Sequence, residues 1–196
     1  MKPDVDFFKI ETNNISPKKG RILISEPFLN DIYFKRSLVL ITEHDENGSV
    51  GFVLNKPINI KIQDVLPDYP FEDFSVSLGG PVSTNTLHYI HTLGEKIPNS
   101  IKIFDNIYWS GDFEVLKKLI DEEKVKPDQL RFFLGYSGWT EKQLEGEISL
   151  NSWLVTNIDA KKIMVPNMDT IWKEALQNLG GKYKMWINSP ENPGMN

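Results

Sequence analysis

The dipeptide Asn47-Gly48 sits between two apolar runs, Val39-Leu40-Ile41 and Val50-Gly51-Phe52-Val53-Leu54. It is the strongest short-range hairpin signal a sequence can carry, because a two-residue type I′ turn needs positive φ at both central residues. Strands over 37–43 and 50–55 must then pair antiparallel. With Asn47 and Gly48 as the central pair, Glu46 faces Ser49, His44 faces Gly51 and Leu40 faces Asn55. One face of this hairpin carries Leu40, Thr42, His44, Val53 and Asn55. The other carries Val39, Ile41, Val50, Phe52 and Leu54 and is the expected core face.

A second dense block, residues 134–154, also mixes apolar runs, glycines and polar side chains. Strands are expected over 21–25, 75–78, 87–92, 107–110, 130–136 and 153–156, with a weak edge strand over 182–188. Helices are expected over 62–66, 112–124, 141–150, 159–164 and 169–179, the last closed by Gly180-Gly181. Thr140 and Gln143 match a capping box, with Trp139 placed to staple onto Leu144. Strands dominate the first half and helices gather in the second. That order predicts an α+β fold rather than a doubly wound sheet. We expect one compact domain over 19–188 with a central, largely antiparallel mixed sheet or partly closed barrel and flanking helices. An arm over 1–18, helical around Phe7, Phe8 and Ile10, precedes it, and a tail over 189–196 follows.

The chain of 196 residues is long enough to bury a core without staples. It has no cysteine, which excludes disulfides, thiol nucleophiles and Cys-based metal sites. The net charge of -5 argues against general nucleic-acid affinity. Acids stand where a signal peptide needs an apolar core, and no run is long enough to span a bilayer. The expected compartment is the cytoplasm.

Gly20 to Ser25, Arg36-Ser37, Glu43-His44, Val53-Leu54-Asn55 with Pro57, Gly79-Gly80-Pro81-Val82, Leu134-Gly135-Tyr136 with Gly138-Trp139, and Gln143-Leu144-Glu145 through Trp153-Leu154 run in one order over about residues 20–180. In these stretches the sequence resembles the bacterial AlgH/YqgE family. The resemblance implies a compact α+β domain with a central antiparallel sheet. It implies no established activity; some members carry the name of transcriptional regulators. Two positions depart from the family pattern. Ser83-Thr84-Asn85-Thr86 stands where an Asp-Arg pair is usual after Gly-Gly-Pro-Val, and Lys142 stands where a glycine is usual.

Gly135-Tyr136-Ser137-Gly138-Trp139 lies between an expected strand and an expected helix, as a nucleophile elbow would, but Trp139 replaces the final glycine of that pattern. A capped tight turn, or a helix start that binds an anion, are the other readings. His88 and His91 fall on opposite faces of a strand, which opposes a shared metal; one should be buried and hydrogen-bonded and the other exposed. Arg36, Glu43, His44 and Asn55 are either a polar site, with Arg36 as anion clamp and His44 as acid or base, or a structural network.

The reading that gathers these features is a non-catalytic ligand- or protein-binding module without a cofactor or metal. Its shallow pocket is built from Arg36, His44, Asn55, Gly80, Tyr136, Trp139 and Gln143 and takes a small anion or a protein partner. The alternatives are a hydrolase or transferase with His44 as general base, and a regulator that binds DNA directly. No expected helix is basic enough for the latter. The chain does not specify an oligomeric state.

Overall fold

The computed structural model describes residues 13–68, 74–165 and 170–189. The helical arm around Phe7, Phe8 and Ile10, Asp169 and the tail from 190 lie outside the described residues. Nine strands form in chain order among them: β1 (Ile22–Ser25), β2 (Leu38–Asp45), β3 (Gly48–Val53), β4 (Val76–Leu78), β5 (Val82–His91), β6 (Ile101–Phe104), β7 (Ile107–Trp109), β8 (Leu130–Thr140) and β9 (Trp153–Thr156). The helices are α1 (Ile62–Val65), α2 (Phe113–Asp121), α3 (Gln143–Ser149), α4 (Ala160–Ile163), α5 (Ile171–Leu179) and α6 (Lys184–Ile187).

The sheet runs β6-β7-β5-β8-β3-β2-β1-β9. Every pairing is antiparallel except β4 with β8. The fold is α+β, as the order of elements predicts, but the sheet does not close into the barrel offered as an alternative: β6 and β9 are its two ends. β8 organises the whole. Its first half pairs β5 on one edge and β4 on the other, and its second half pairs β3. The hairpin block and the second dense block therefore lie side by side, Ser49 opposite Trp139 and Gly51 opposite Ser137.

The hairpin forms with a different register from the one expected. Asp45 faces Gly48 and His44 faces Ser49, so Glu46 and Asn47 make the turn. Asp45 Oδ1 accepts the Asn47 N–H at 2.7 Å, a local bond that fixes the turn one residue earlier. A bulge between Ile41 and Glu43 then shifts the pairing again, and Gly51 faces Ile41 rather than His44. Gly48 is glycine for its neighbour's sake. A Cβ there would lie 2.1 Å from the Trp139 carbonyl of β8.

Both faces of the hairpin are buried, not one. Leu38, Leu40, Phe52 and Leu54 join Ile22, Ile24, Phe133 and Leu154 on the first face, which α4, α5 and α6 cover with Ile163, Trp172, Leu176 and Trp186. Val39, Ile41 and Val53 face the other way and pack with Trp139, Leu144, Ile148 and Trp153 under α3. Farther along that second face, α1 and α2 cover Val76, Tyr89, Leu130 and Phe132 with Ile62 and Leu116. Gly135, at φ +66°, resets the alternation of β8, so Tyr136 joins Phe133 on the first face.

Three further differences stand out. The segment 182–188 is helical, with Tyr183 and Trp186 three residues apart on one buried side. β6 is a short edge strand that the sequence pattern does not announce. β8 continues to Thr140, through the glycines that read as a turn, and at Gly135 a Cβ would lie 2.7 Å from the Val82 carbonyl of β5.

Arg131 bolts the layers together. It is 1% exposed and donates to Ile163 O, Leu54 O and Ser77 Oγ, joining β8 to α4, to the end of β3 and to β4. Burial pushes its guanidinium pKa down to about 10, which leaves it charged at neutral pH. At the far edge, Asn13 binds Val155 of β9 twice, its amide donating to the carbonyl at 2.6 Å and accepting the N–H at 3.3 Å.

Candidate functional site

The structure distributes the seven expected pocket residues over three places. Arg36 and Asn55 belong to the start of β2. Arg36 adopts φ +51° just before the strand, donates to Ser189 O at 2.5 Å and stacks over Trp172 at 5.2 Å. The Asn55 amide accepts the Leu38 N–H at 2.8 Å and donates to Arg36 O at 2.9 Å. It substitutes for a missing strand partner and is consumed by the fold. Gly80 and Tyr136 meet in the sheet, where a Cβ on Gly80 would lie 2.4 Å from the Tyr136 carbonyl. His44, Trp139 and Gln143 gather at α3. The seven residues of the expected pocket thus stand in three groups.

The α3 cluster is a polar network centred on Glu147. Glu147 Oε2 accepts both indole N–H groups, Trp139 at 2.9 Å and Trp153 at 2.7 Å, while Oε1 accepts from Gln143 at 3.0 Å. Phe34 stacks on Trp139 and meets Trp153 edge-on. Gln143 Oε1 accepts the Thr140 N–H and hydroxyl, half of the expected capping box. The helix nevertheless begins at Gln143, after Lys142 in the left-handed region at φ +57°. That is the position at which the family resemblance places a glycine, and lysine holds it under strain.

His44 lies beside this network. Its Nδ1 is 2.8 Å from Ser49 Oγ and its Nε2 is 3.6 Å from Glu145 Oε1. Sequence reasoning missed both partners, although a turn centred on Glu46 and Asn47 would have set Ser49 opposite His44. Ser137 is fully buried and donates to Gly79 O at 3.0 Å. It stands inside β8, so the nucleophile-elbow and anion-binding readings of 135–139 are both overturned: the segment is strand, and the helix starts later.

The two remaining histidines fall on opposite faces, as their spacing predicts. His91 is fully buried; Nε2 lies 3.0 Å from Ser110 O and Nδ1 accepts the Leu93 N–H at 3.3 Å. Those partners fix the Nε2–H tautomer. Burial lowers its pKa, and the Ser110 carbonyl opposes that shift. His88 is half-buried rather than exposed, packed against Phe52, Trp109 and Tyr136, and burial lowers its pKa too. No group of three metal-ligating side chains occurs among the described residues. No helix among them is long and apolar enough to cross a membrane.

A different place offers space. A cleft of about 140 Å³ opens between the β9–α4 connection and α5. Its floor is apolar, with Ile22 and Leu38 of the sheet, Ile158, and Ile171 and Ala175 of α5. Its rim is polar: Asn157, Asp159, Lys162, Glu174 and Asn178. Positions 171, 174, 175 and 178 form one stripe of α5, the spacing that brings helical residues to one side. Trp172 on the other side pins this wall, its indole donating to Ser25 O at 3.0 Å under the Arg36 guanidinium. Across the mouth, Lys162 Nζ lies 3.4 Å from Glu174 Oε2. Thr170 Oγ1 donates to Glu174 Oε1, and this bond, followed by Lys162, holds the carboxyl below its ordinary pKa. The amides of Asn157 and Asn178 make no side-chain hydrogen bond to any described residue.

The DUF179 family model, described as AlgH-like, matches residues 22–184. The chain belongs to the AlgH-like family. Its relatives include a UPF0301 protein of Bacteroides thetaiotaomicron, 43% identical over 197 residues and covered completely in both chains. Another, from Parabacteroides distasonis, is 45% identical over 193 residues, covering 97% of this chain and 98% of the relative. The solution structure of the AlgH protein from Pseudomonas aeruginosa superposes with a TM-score of 0.68 at 26% identity, covering 91% of this chain and 98% of that one. A crystal structure of a Corynebacterium diphtheriae protein shares the AlgH-like fold, with a TM-score of 0.74 at 20% identity over 96% and 100% of the two chains. These likenesses establish family and fold and assign no activity.

Proposed function

We propose that the protein is a cytosolic, non-catalytic binding module that takes a small molecule in the cleft between the β9–α4 connection and α5. One observation carries this reading. The cleft sets an aliphatic floor beneath a rim on which the Asn157 and Asn178 amides make no side-chain hydrogen bond to any described residue, whereas Asn55, Trp139 and Trp153 of the two dense blocks bond to the fold itself. Small-molecule sites are concave, mostly apolar and oriented by a few polar groups. The test is methyl-detected NMR of the full chain against a panel of metabolites. A ligand should shift the methyls of Ile22, Leu38, Ile158 and Ile171 saturably, and Ala175→Phe, which fills the cleft from α5, should abolish the response. Shifts confined to other regions, or a response that survives Ala175→Phe, would refute the site.

A second reading is favoured by the chain Ser49 Oγ–His44 Nδ1–Glu145, with its 2.8 Å and 3.6 Å separations. This is the order of nucleophile, base and orienting carboxylate used in acyl transfer. Against it, Ser49 is 4% exposed and its strand is paired on both edges, so neighbouring N–H groups are engaged in ladders. A fluorophosphonate probe separates the two readings. Labelling that Ser49→Ala abolishes establishes the enzyme; an unlabelled protein excludes it.

A further inference from the structure

We infer that the cleft recognises a small zwitterion with an aliphatic side chain, of the size and class of a branched α-amino acid. The inference rests on the cleft being the binding site and names what fills it.

Size sets the first limit. At about 140 Å³ the space is well below the roughly 300 Å³ at which drug-sized sites begin, which favours a small ligand. The floor sets the second. Ile22 and Leu38 are fully buried beneath the space, and Ile158, Ile171 and Ala175 complete an aliphatic cup without an aromatic ring to stack on a planar ligand. A branched hydrocarbon matches that surface.

The rim sets the third. It presents Lys162 and Glu174 side by side, with their side chains 45% and 46% exposed, while the rim's other charge, Asp159, caps α4 by accepting the Lys161 N–H at 2.9 Å. A lone carboxylate drawn to Lys162 would meet the Glu174 charge beside it. A lone ammonium drawn to Glu174 would meet Lys162. A zwitterion satisfies both: its carboxylate takes Lys162, its ammonium takes Glu174, and one half-exposed ion pair becomes two. Opening that pair is cheap because solvent already screens it. Thr170 holds Glu174 through its other oxygen, so the carboxylate keeps its place when Lys162 turns to the ligand. The amides of Asn157 and Asn178 flank the mouth and supply neutral donors and acceptors on either side of the head group.

The experiment titrates methyl-labelled full-length protein with L-leucine, isovalerate and isoamylamine, which share a branched tail and differ in charge. Leucine should shift Ile22, Leu38, Ile158 and Ile171 saturably, with both monofunctional compounds at least about tenfold weaker, the worth of one lost charged hydrogen bond. Lys162→Met and Glu174→Gln, both on exposed helical surface, should each weaken leucine by about the same factor. Isovalerate or isoamylamine binding as tightly as leucine would overturn the zwitterion while leaving the cleft as a site. The same holds if another metabolite shifts these methyls and leucine does not. If nothing in the metabolite panel moves them, the cleft itself falls and the inference with it.

Discussion

The α3 cluster and the α5 cleft are built from similar side chains and behave oppositely. In the cluster, Glu147 takes two indole N–H groups and an amide, His44 rests on Ser49, and Gln143 holds Thr140. Its polar atoms face one another. In the cleft, carboxylate, ammonium and carboxamides surround a space above aliphatic side chains. A crowd of polar residues in a sequence therefore marks where the fold is tied. A site is marked by polar atoms that remain turned toward an opening, which only the folded arrangement shows.

The sharpest way to break this contrast is to remove the wall of the cleft. Trp172→Ala deletes a side chain that is 2% exposed, together with its bond to Ser25, and should cost about 3–5 kcal/mol in urea unfolding while abolishing any cleft response. The matching lesion in the cluster is Glu147→Ala. It strands two indole donors and should cost about 2–3 kcal/mol by the same measurement, with Glu147→Gln milder. If Glu147→Ala is neutral, the cluster is not a tie.

A third measurement uses the buried His91, which lies outside both regions. His91 has a folded pKa below its unfolded value, so the unfolded chain binds the proton more readily. Its contribution is complete above the unfolded pKa, near 6.5, and is lost as pH falls through the folded value, at no more than about 1.4 kcal/mol per pH unit for one site. His88 is shifted in the same direction. An NMR titration should give a His91 midpoint below 6.5, with unfolding temperature falling below that pH. A midpoint above it would reverse the sign.

Two smaller effects sharpen the comparison. Lys142→Gly should raise stability by about 1 kcal/mol, since it relieves the left-handed strain at the entry to α3. Lys162→Met and Glu174→Gln should leave the urea midpoint unchanged, because the pair is half-exposed, yet weaken ligand binding at the cleft. A stability loss there would make the rim another tie.

Much of the fold is legible in the chain. Alternation and turn chemistry locate the hairpin, the α2 and α5 stripes and the Gly180 stop. The register is not legible, because the Asp45–Asn47 bond moves the turn one residue earlier and the bulge at Ile41/Glu43 shifts the pairing again. Gly135 and Gly138 read as a turn, yet one supplies a phase shift and the other a close contact within a continuous strand. The cleft has no local signature at all. Its members come from positions 22, 38, 156–162 and 171–178, each unremarkable in its own segment.

The carboxamide of Asn13 occupies both the donor and the acceptor that Val155 presents outward from β9. An incoming strand from another molecule would need those same two groups to extend the sheet. One short side chain thus blunts the terminal rail of the fold, and stacking of copies into fibrils through this border must first dislodge it.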